Sequence, residues 1–302
     1  MTSGCTDNPK LYSFNFPGTT IEYPRSEIIA HDSRPQVSIA TVGDSYSSGE
    51  GVEPFFPNTN IPADETYYNQ CHRSENSYSR LLDRDPLLPV NLVGSFACSG
   101  AKIEDLTDTW QFPSTQPPQL ISLLQAGSVN TIALTIGGND VNFADFARHC
   151  ILDLDAYCNG QYTETLRKIR EELPAKLDSL YGTLNSYSSD HLLILGYPQL
   201  VPIESYPFCT YITDNERLMA RDVVTKLNIE IKNAVVRAGS KFIYLDATSS
   251  TSPFWGHQLC NIDSYFIPPG LPVEYSLHPN FSGQNAYKQL IETELKNQAI
   301  IP

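Results

Sequence analysis

The segment Val42-Gly43-Asp44-Ser45-Tyr46-Ser47-Ser48-Gly49-Glu50-Gly51 holds residue types that can do covalent chemistry. An apolar, β-prone run, Gln36 to Val42, leads into a Gly-Asp-Ser turn and then into small residues. A serine on such a turn presents its Oγ at the mouth of a sheet, and the following N–H groups can stabilise an oxyanion. Ser45 is therefore a candidate nucleophile. The same residues also make an ordinary turn, because Gly tolerates positive φ and Asp and Ser bond their own backbone.

Three further segments carry matching chemistry. Ile136-Gly137-Gly138-Asn139-Asp140 lets the backbone approach closely, and the Asn139 amide can donate toward a developing negative oxygen. Asn139 or Asp140 could equally cap a helix start. Phe96-Ala97-Cys98-Ser99-Gly100-Ala101 offers another backbone donor at Gly100, or a plain small-residue turn. Near the C-terminus, Ser276-Leu277-His278-Pro279-Asn280 sets a histidine in a loop just before a helix. Pro279 restricts His278 to extended backbone, the positional control that a general base requires. His257, near Cys260 and the aromatics Phe254 and Trp255, reads as structural, and Glu50, Arg73 and Asp140 read as loop braces.

The elements that must position these residues alternate in type. Gln36–Val42, Val90–Gly94, Thr131–Ile136, Leu192–Gly196 and Phe242–Asp246 are short apolar runs that suit strands buried on both faces. Between the later runs, Leu166, Ile169, Leu173, Leu177, Leu180 and Leu184 recur at helical steps, with a kink expected at Pro174. Val224, Leu227, Ile231 and Val235 repeat the pattern, and a last helix is expected over 282–296 with Ala286, Leu290 and Leu295 inward. Alternating β and α predicts an α/β fold with a parallel sheet and helices on both faces. Ser45, Gly100 and Asn139 each follow a strand, so they fall on one sheet edge, where such folds bind ligands.

Hydrophobic residues make up 41% of the chain and charged ones 18%, enough apolar content for a full core and too much for disorder. A net charge of −14 repels phosphate backbones and anionic bilayers, which excludes nucleic acid and polybasic membrane recruitment. No apolar run approaches the roughly 20 residues of a membrane span. Residues 1–34 are polar and Pro-rich and read as an extension flanking a single domain over 35–302. They lack the pattern of a signal peptide, so either a leader has been removed or the protein stays inside a cell. The seven cysteines, Cys5, Cys71, Cys98, Cys150, Cys158, Cys209 and Cys260, contain no C-x-x-C pair, which speaks against zinc. Most lie in polar, loop-like sequence, which favours disulfides and secretion. Sequential pairing would leave Cys5 over, but spacing alone does not choose among the connectivities.

Taken together and in order, the four segments resemble the SGNH hydrolase superfamily, the GDSL esterases and lipases. The resemblance runs from Gly43 to Gly283, and the extended G-D-S-Y-S-S-G-E-G, the A-C-S-G-A segment, Gly256-His257-Gln258-Leu259-Cys260 and S-L-H-P-N narrow it to the secreted actinomycete-type branch. It implies a three-layer α/β/α domain with a flavodoxin-like parallel sheet of about five strands. It implies Ser45 as nucleophile, His278 as base, and the Ser45 and Gly100 N–H groups with the Asn139 amide as oxyanion donors. No metal or cofactor is implied. It further implies three sequential disulfides, Cys71–Cys98, Cys150–Cys158 and Cys209–Cys260, with Cys5 outside the framework. Many relatives place an Asp three residues before the histidine; here that position is Tyr275. The preferred expectation is a Ser45–His278 dyad with the Tyr275 backbone carbonyl orienting the base, and Glu274 as the less favoured third member.

The expected substrate is a lipid or simple acyl ester, taken by a monomer without an integral membrane segment. Two alternatives stand beside it: a carbohydrate or aryl esterase of deacetylase type, and a catalytically silent lipid- or glycan-binding module of the same fold. Aromatics and prolines in 52–68, 110–118 and 254–272 suit either an apolar acyl pocket or rigid packing.

Overall fold

A computed structural model describes residues 12–16, 19–23, 37–62, 68–112, 115–152, 157–187, 190–204, 212–270 and 272–302. Within the N-terminal segment, β1 (Tyr12–Phe16) and β2 (Thr19–Tyr23) pair antiparallel with Tyr12 opposite Tyr23, a hairpin not expected from the sequence. The domain that follows is built on β3 (Val37–Gly43), β4 (Val90–Ser95), β5 (Thr131–Thr135), β6 (His191–Leu195) and β7 (Phe242–Leu245). They form one sheet in the order β4-β3-β5-β6-β7, and every neighbouring pair is parallel.

The strands form where the apolar runs are, because a parallel sheet covered on both faces rewards continuous hydrophobic sequence. All five residues of β5 are buried, as are Ile39, Ala40 and Val42 of β3 and Leu192 to Leu195 of β6. Helices cover the sheet: α1 (Ser45–Ser48), α2 (Tyr78–Asp83), α3 (Ile103–Thr107), α4 (Gln119–Ala126), α5 (Phe143–Ala147), α6 (Cys158–Glu171), α7 (Leu173–Asn185), α8 (Asp214–Ala238) and α9 (Phe281–Asn297). Helix α9 packs on α2, while α8 packs on α6 and α7, giving the α/β/α layering. Thr213 caps α8 by accepting the Glu216 N–H, and the Glu216 carboxylate reaches back to the Thr213 N–H.

The expected kinked helix over Leu166 to Leu184 is instead two helices. Helix α6 ends at Glu171, and α7 restarts with Pro174 in its first turn. Proline cannot donate the helical hydrogen bond and clashes with the preceding turn, yet it suits the first turn of a new helix. The apolar stripe crosses the break, so Leu173, Leu177, Leu180 and Leu184 are still buried. In α9, Ala286 and Leu295 are buried and Leu290 is partly so.

Cys71–Cys98 and Cys150–Cys158 are disulfides, as sequential pairing has it. Cys260 is also disulfide-bonded. Cys209 and Cys5 lie outside the described residues. Among the described residues no helix is long and apolar enough to cross a membrane.

Candidate active site

The strand order puts the first and third parallel strands of the domain, β3 and β5, side by side with their connections leaving in opposite directions. Such a switch point opens a crevice at the carboxyl edge of the sheet. Ser45 emerges from β3 and Asn139 from β5, one on each side of that crevice.

The turn carrying Ser45 is set by its neighbours. Gly43 has φ +117°, and a Cβ there would lie 2.2 Å from the Thr135 carbonyl oxygen, so only glycine fits. Its backbone is clamped by the buried Gln119, whose Oε1 accepts the Gly43 N–H at 2.7 Å and whose Nε2 donates to the Gly43 carbonyl at 2.9 Å. Asp44 caps α1 by accepting the Tyr46 N–H at 3.1 Å. Ser45 therefore sits at the first position of the short helix α1, 8% exposed.

The second loop is joined to the first. The Cys98 N–H donates to the Gly43 carbonyl at 3.0 Å, the buried Cys71–Cys98 disulfide ties the loop to the segment before α2, and the Ser99 N–H donates to the Cys71 carbonyl. Arg73 braces it through Nε to the Ala97 carbonyl at 2.7 Å. Gly100 has φ +77° and is exposed, and its N–H has no hydrogen-bond partner among the described residues. It is near the nucleophile turn but is not among the residues lining the main cleft.

In the third loop, Asn139 donates one amide hydrogen to the Ala101 carbonyl at 3.0 Å, which fixes the side chain and leaves the other hydrogen to the cleft. Asp140 is buried, accepts the Ile103 N–H at 3.0 Å and pairs with Lys176 at 2.9 Å, so it ties this loop to α3 and α7.

His278 arrives from a long segment after β7. Its loop is held by main-chain bonds: Leu277 N–H to the Ile267 carbonyl at 2.9 Å, Ile267 N–H to the His278 carbonyl at 2.8 Å, and Asn280 N–H to the Tyr265 carbonyl at 2.9 Å. Asn280 then caps α9 by accepting the Gly283 N–H. Leu277 is buried at φ +68°, a strained position for a leucine, and the Tyr46 hydroxyl donates to its carbonyl at 3.1 Å. Tyr46, next to Ser45, also packs its ring on His278 at 5.5 Å between centroids. The Ser45 turn and the His278 loop are thus in direct contact.

Ser45, Asn139 and His278 line one cleft of about 240 Å³, together with Phe143, Ala144, Ala147, Val273 and Leu277 on its apolar walls. Among the described residues Ser45 and His278 line the same cleft without a hydrogen bond between them. The Tyr275 carbonyl accepts the main-chain N–H of His278 at 3.3 Å, and the buried His278 Nδ1 has no hydrogen bond of ordinary geometry. Burial lowers the His278 pKa; the Glu50 carboxylate and then the carbonyls of Tyr275, Ser276 and Glu274 work against that lowering. The ring is accordingly neutral near pH 7. The Glu274 side chain is exposed at the cleft and makes no hydrogen bond to His278 among the described residues.

One residue missed in the sequence, Tyr197, and further bonds of Asp44 complete the site. Tyr197, after β6, donates its hydroxyl to Asp44 and accepts the Gly138 N–H at 3.1 Å, so it links the nucleophile turn to the Asn139 loop. Its position in a G-Y-P segment at the same strand edge was the available signal. Asp44 is buried, accepts Thr135 Oγ1 at 2.6 Å, and has its pKa pushed up to about 6 by desolvation. The folded-state value lies above the unfolded one, so the stability Asp44 contributes is present at low pH and lost as pH rises through about 6. The ionised form costs on the order of 3 kcal/mol at neutral pH. In Asp44→Asn this pH dependence disappears. The Tm of the variant relative to wild type should therefore climb between pH 4 and pH 8; a constant difference across that range would refute the assignment.

Comparison with known proteins places the molecule among relatives. The profile of the GDSL-like Lipase/Acylhydrolase family matches residues 41–286. A lipase of Streptomyces rimosus is 27% identical over 245 residues, covering 81% of each chain, and Lipase 1 of Streptomyces coelicolor is 24% identical over 249 residues at the same coverage. Among solved structures, the extracellular lipase of Streptomyces rimosus superposes with a TM-score of 0.66 and phospholipase A1 of Streptomyces albidoflavus NA297 with 0.68. Both are 25% identical and cover 85% of this chain and 99% of their own.

Proposed function

We propose that this chain, which belongs to the GDSL-like Lipase/Acylhydrolase family, cleaves carboxylic esters through an acyl-enzyme on Ser45. Membership and the Streptomyces lipase relatives make it an ester hydrolase of the actinomycete lipase branch. The roles of single residues are our reading. The observation that carries it is the convergence on one cleft of Ser45, Asn139 and His278, which come from three distant parts of the chain.

His278, neutral at pH 7, takes the Ser45 proton as Oγ attacks the ester carbonyl. The Ser45 and Gly100 N–H groups and the free amide hydrogen of Asn139 receive the oxyanion. His278 returns the proton to the leaving alcohol, and water deacylates the enzyme by the same sequence with His278 again as base. When the imidazolium forms, Nδ1–H needs an acceptor. The Tyr275 carbonyl, with those of Ser276 and Glu274 near the ring, supplies it without a carboxylate.

The substrate reading is an acyl ester of a lipid or simple alcohol. The cleft's apolar wall suits an acyl chain, and about 240 Å³ is below the usual size of a pocket that encloses a drug-sized ligand. It holds a short or medium acyl arm. The net charge of −14 disfavours anionic headgroups, and the cleft mouth itself carries two acids, Asp145 and Glu274, beside one cation, Arg148. Secretion accords with the disulfides and with the extracellular Streptomyces rimosus lipase. Hydrolysis should be faster on p-nitrophenyl octanoate than on the palmitate ester, and phosphatidylcholine should be cleaved in preference to phosphatidylglycerol. Fastest turnover on acetylated xylan would instead establish the carbohydrate esterase alternative.

A further inference from the structure

The base has no carboxylate at the position where many relatives carry one, yet a buried carboxylate stands behind it. Glu50 is 1% exposed and pairs with Nδ1 of His72 at 2.8 and 2.9 Å, and His72 is itself buried. A carboxylate at this depth is costly to bury unless it is paired, and His72 supplies the partner. His72 also holds φ +46°, a left-handed conformation that is uncommon for a non-glycine residue.

The pair adjoins both the Ser45 turn and the loop that carries His278. The Glu50 N–H donates to the Ser45 carbonyl at 3.1 Å. A Cβ on the adjoining Gly51 would lie 3.1 Å from the Tyr275 Cβ, so this turn packs directly on the base loop. The His72 ring meets the Tyr275 ring edge-on at 5.9 Å and stacks on Phe55 at 4.8 Å, and Phe55 also packs on Tyr275. Tyr275 is therefore held by the Gly51 turn, His72 and Phe55, and its carbonyl accepts the His278 main-chain N–H at 3.3 Å.

We propose that the Glu50 carboxylate, held by His72 against the back of the Tyr275 loop, is the positioning partner of His278, orienting its loop and stabilising the imidazolium by charge. This rests on the reading of His278 as base. Charge acts further through a poorly solvated interior than through solvent, so a buried carboxylate can serve without touching the ring. The other groups facing the base are less able to do so. Asp145, Arg148 and Glu274 are exposed at the cleft and screened by solvent. Asp44 is committed to Thr135, Tyr46 and Tyr197, and Tyr46 and Tyr275 stay neutral because burial raises their pKa values. Glu53, which also acts on Tyr275, reaches the tyrosine hydroxyl rather than the base.

The test is the titration of the His278 ring by NMR in Ser45→Ala, with and without Glu50→Gln, alongside the pH profile of kcat/KM in enzyme that retains Ser45. Glu50→Gln should lower the His278 pKa by about half a unit or more and move the acid limb of kcat/KM down with it. It should also reduce plateau kcat by about tenfold with KM little changed. An unmoved ring pKa and acid limb, whatever the loss of rate, would leave Glu50 a structural brace and overturn the proposal. If Glu50→Gln does not fold, Glu50→Asp keeps the charge but withdraws it; a smaller shift in the same direction supports the proposal, and none refutes it. The NMR titration reads the coupling even if His278→Ala proves active, so failure of the base assignment and failure of this proposal are separable.

Discussion

Ser45→Ala, His278→Ala and the double variant are expected to lose nearly the same activity, on the order of 10⁴–10⁶ in kcat. The reason is that the two side chains act as one unit. A serine hydroxyl is a poor nucleophile until its proton has somewhere to go, and a base without a nucleophile has nothing to activate. Tyr46 bonds the Leu277 carbonyl, a contact that neither truncation removes, so the loop keeps its place in both variants. Neither replacement should unfold the protein, because Ser45 makes no side-chain bond to the core and His278 is only partly buried. The measurements are single and double variant kinetics with a p-nitrophenyl ester and covalent labelling by a fluorophosphonate. Labelling should vanish in Ser45→Ala and become slow in His278→Ala. Losses that multiply in the double variant would show that the residues act independently and would sink the dyad. Undiminished labelling in Ser45→Ala would move the nucleophile elsewhere, whereas a wild-type protein that neither labels nor turns over would be a binding module.

The second large effect is expected at Asn139. Truncation to alanine should cost about 10²–10³ in kcat while KM changes little, because an oxyanion donor binds charge that exists only in the transition state. One amide hydrogen is already spent on the Ala101 carbonyl at 3.0 Å, and that bond preorganises the other. Asn139→Asp should be at least as damaging, since a carboxylate faces both the Ala101 carbonyl and the developing oxyanion with the wrong charge. Loss of the Ala101 bond costs about 1 kcal/mol of stability, so assays kept well below the Tm separate catalysis from folding. A rate unchanged in Asn139→Ala would remove this residue from the mechanism, leaving the Ser45 and Gly100 amides to hold the oxyanion.

Much of this was legible in the residues. Each strand of the parallel sheet coincides with a short apolar run, because burial on both faces imposes a local, continuous signal. The positions of Ser45, Gly100 and Asn139 after successive strands followed from parallel topology, which sends every such loop to one edge. Gly43 could be read as a turn glycine, though the Thr135 carbonyl that excludes a side chain there could not. The helix break before Leu173 was harder, since the leucine stripe continues across it and only the local effect of Pro174 separates the two pieces.

The sequence by itself determined the layered α/β architecture, the order of the site loops, the nucleophile candidate and the candidate base. These depend on periodicity, turn chemistry and short motifs, all of them local. Only the tertiary structure decided what surrounds them: Tyr197 bridging Asp44 to the Gly138 amide, Tyr46 touching His278, and Glu50 buried against His72 behind Tyr275. Burial and partnership between residues far apart in the chain set charge and orientation, and neither leaves a trace in local spacing. That is why a carboxylate missing beside His278 in the sequence could be answered by one 228 positions earlier, at Glu50.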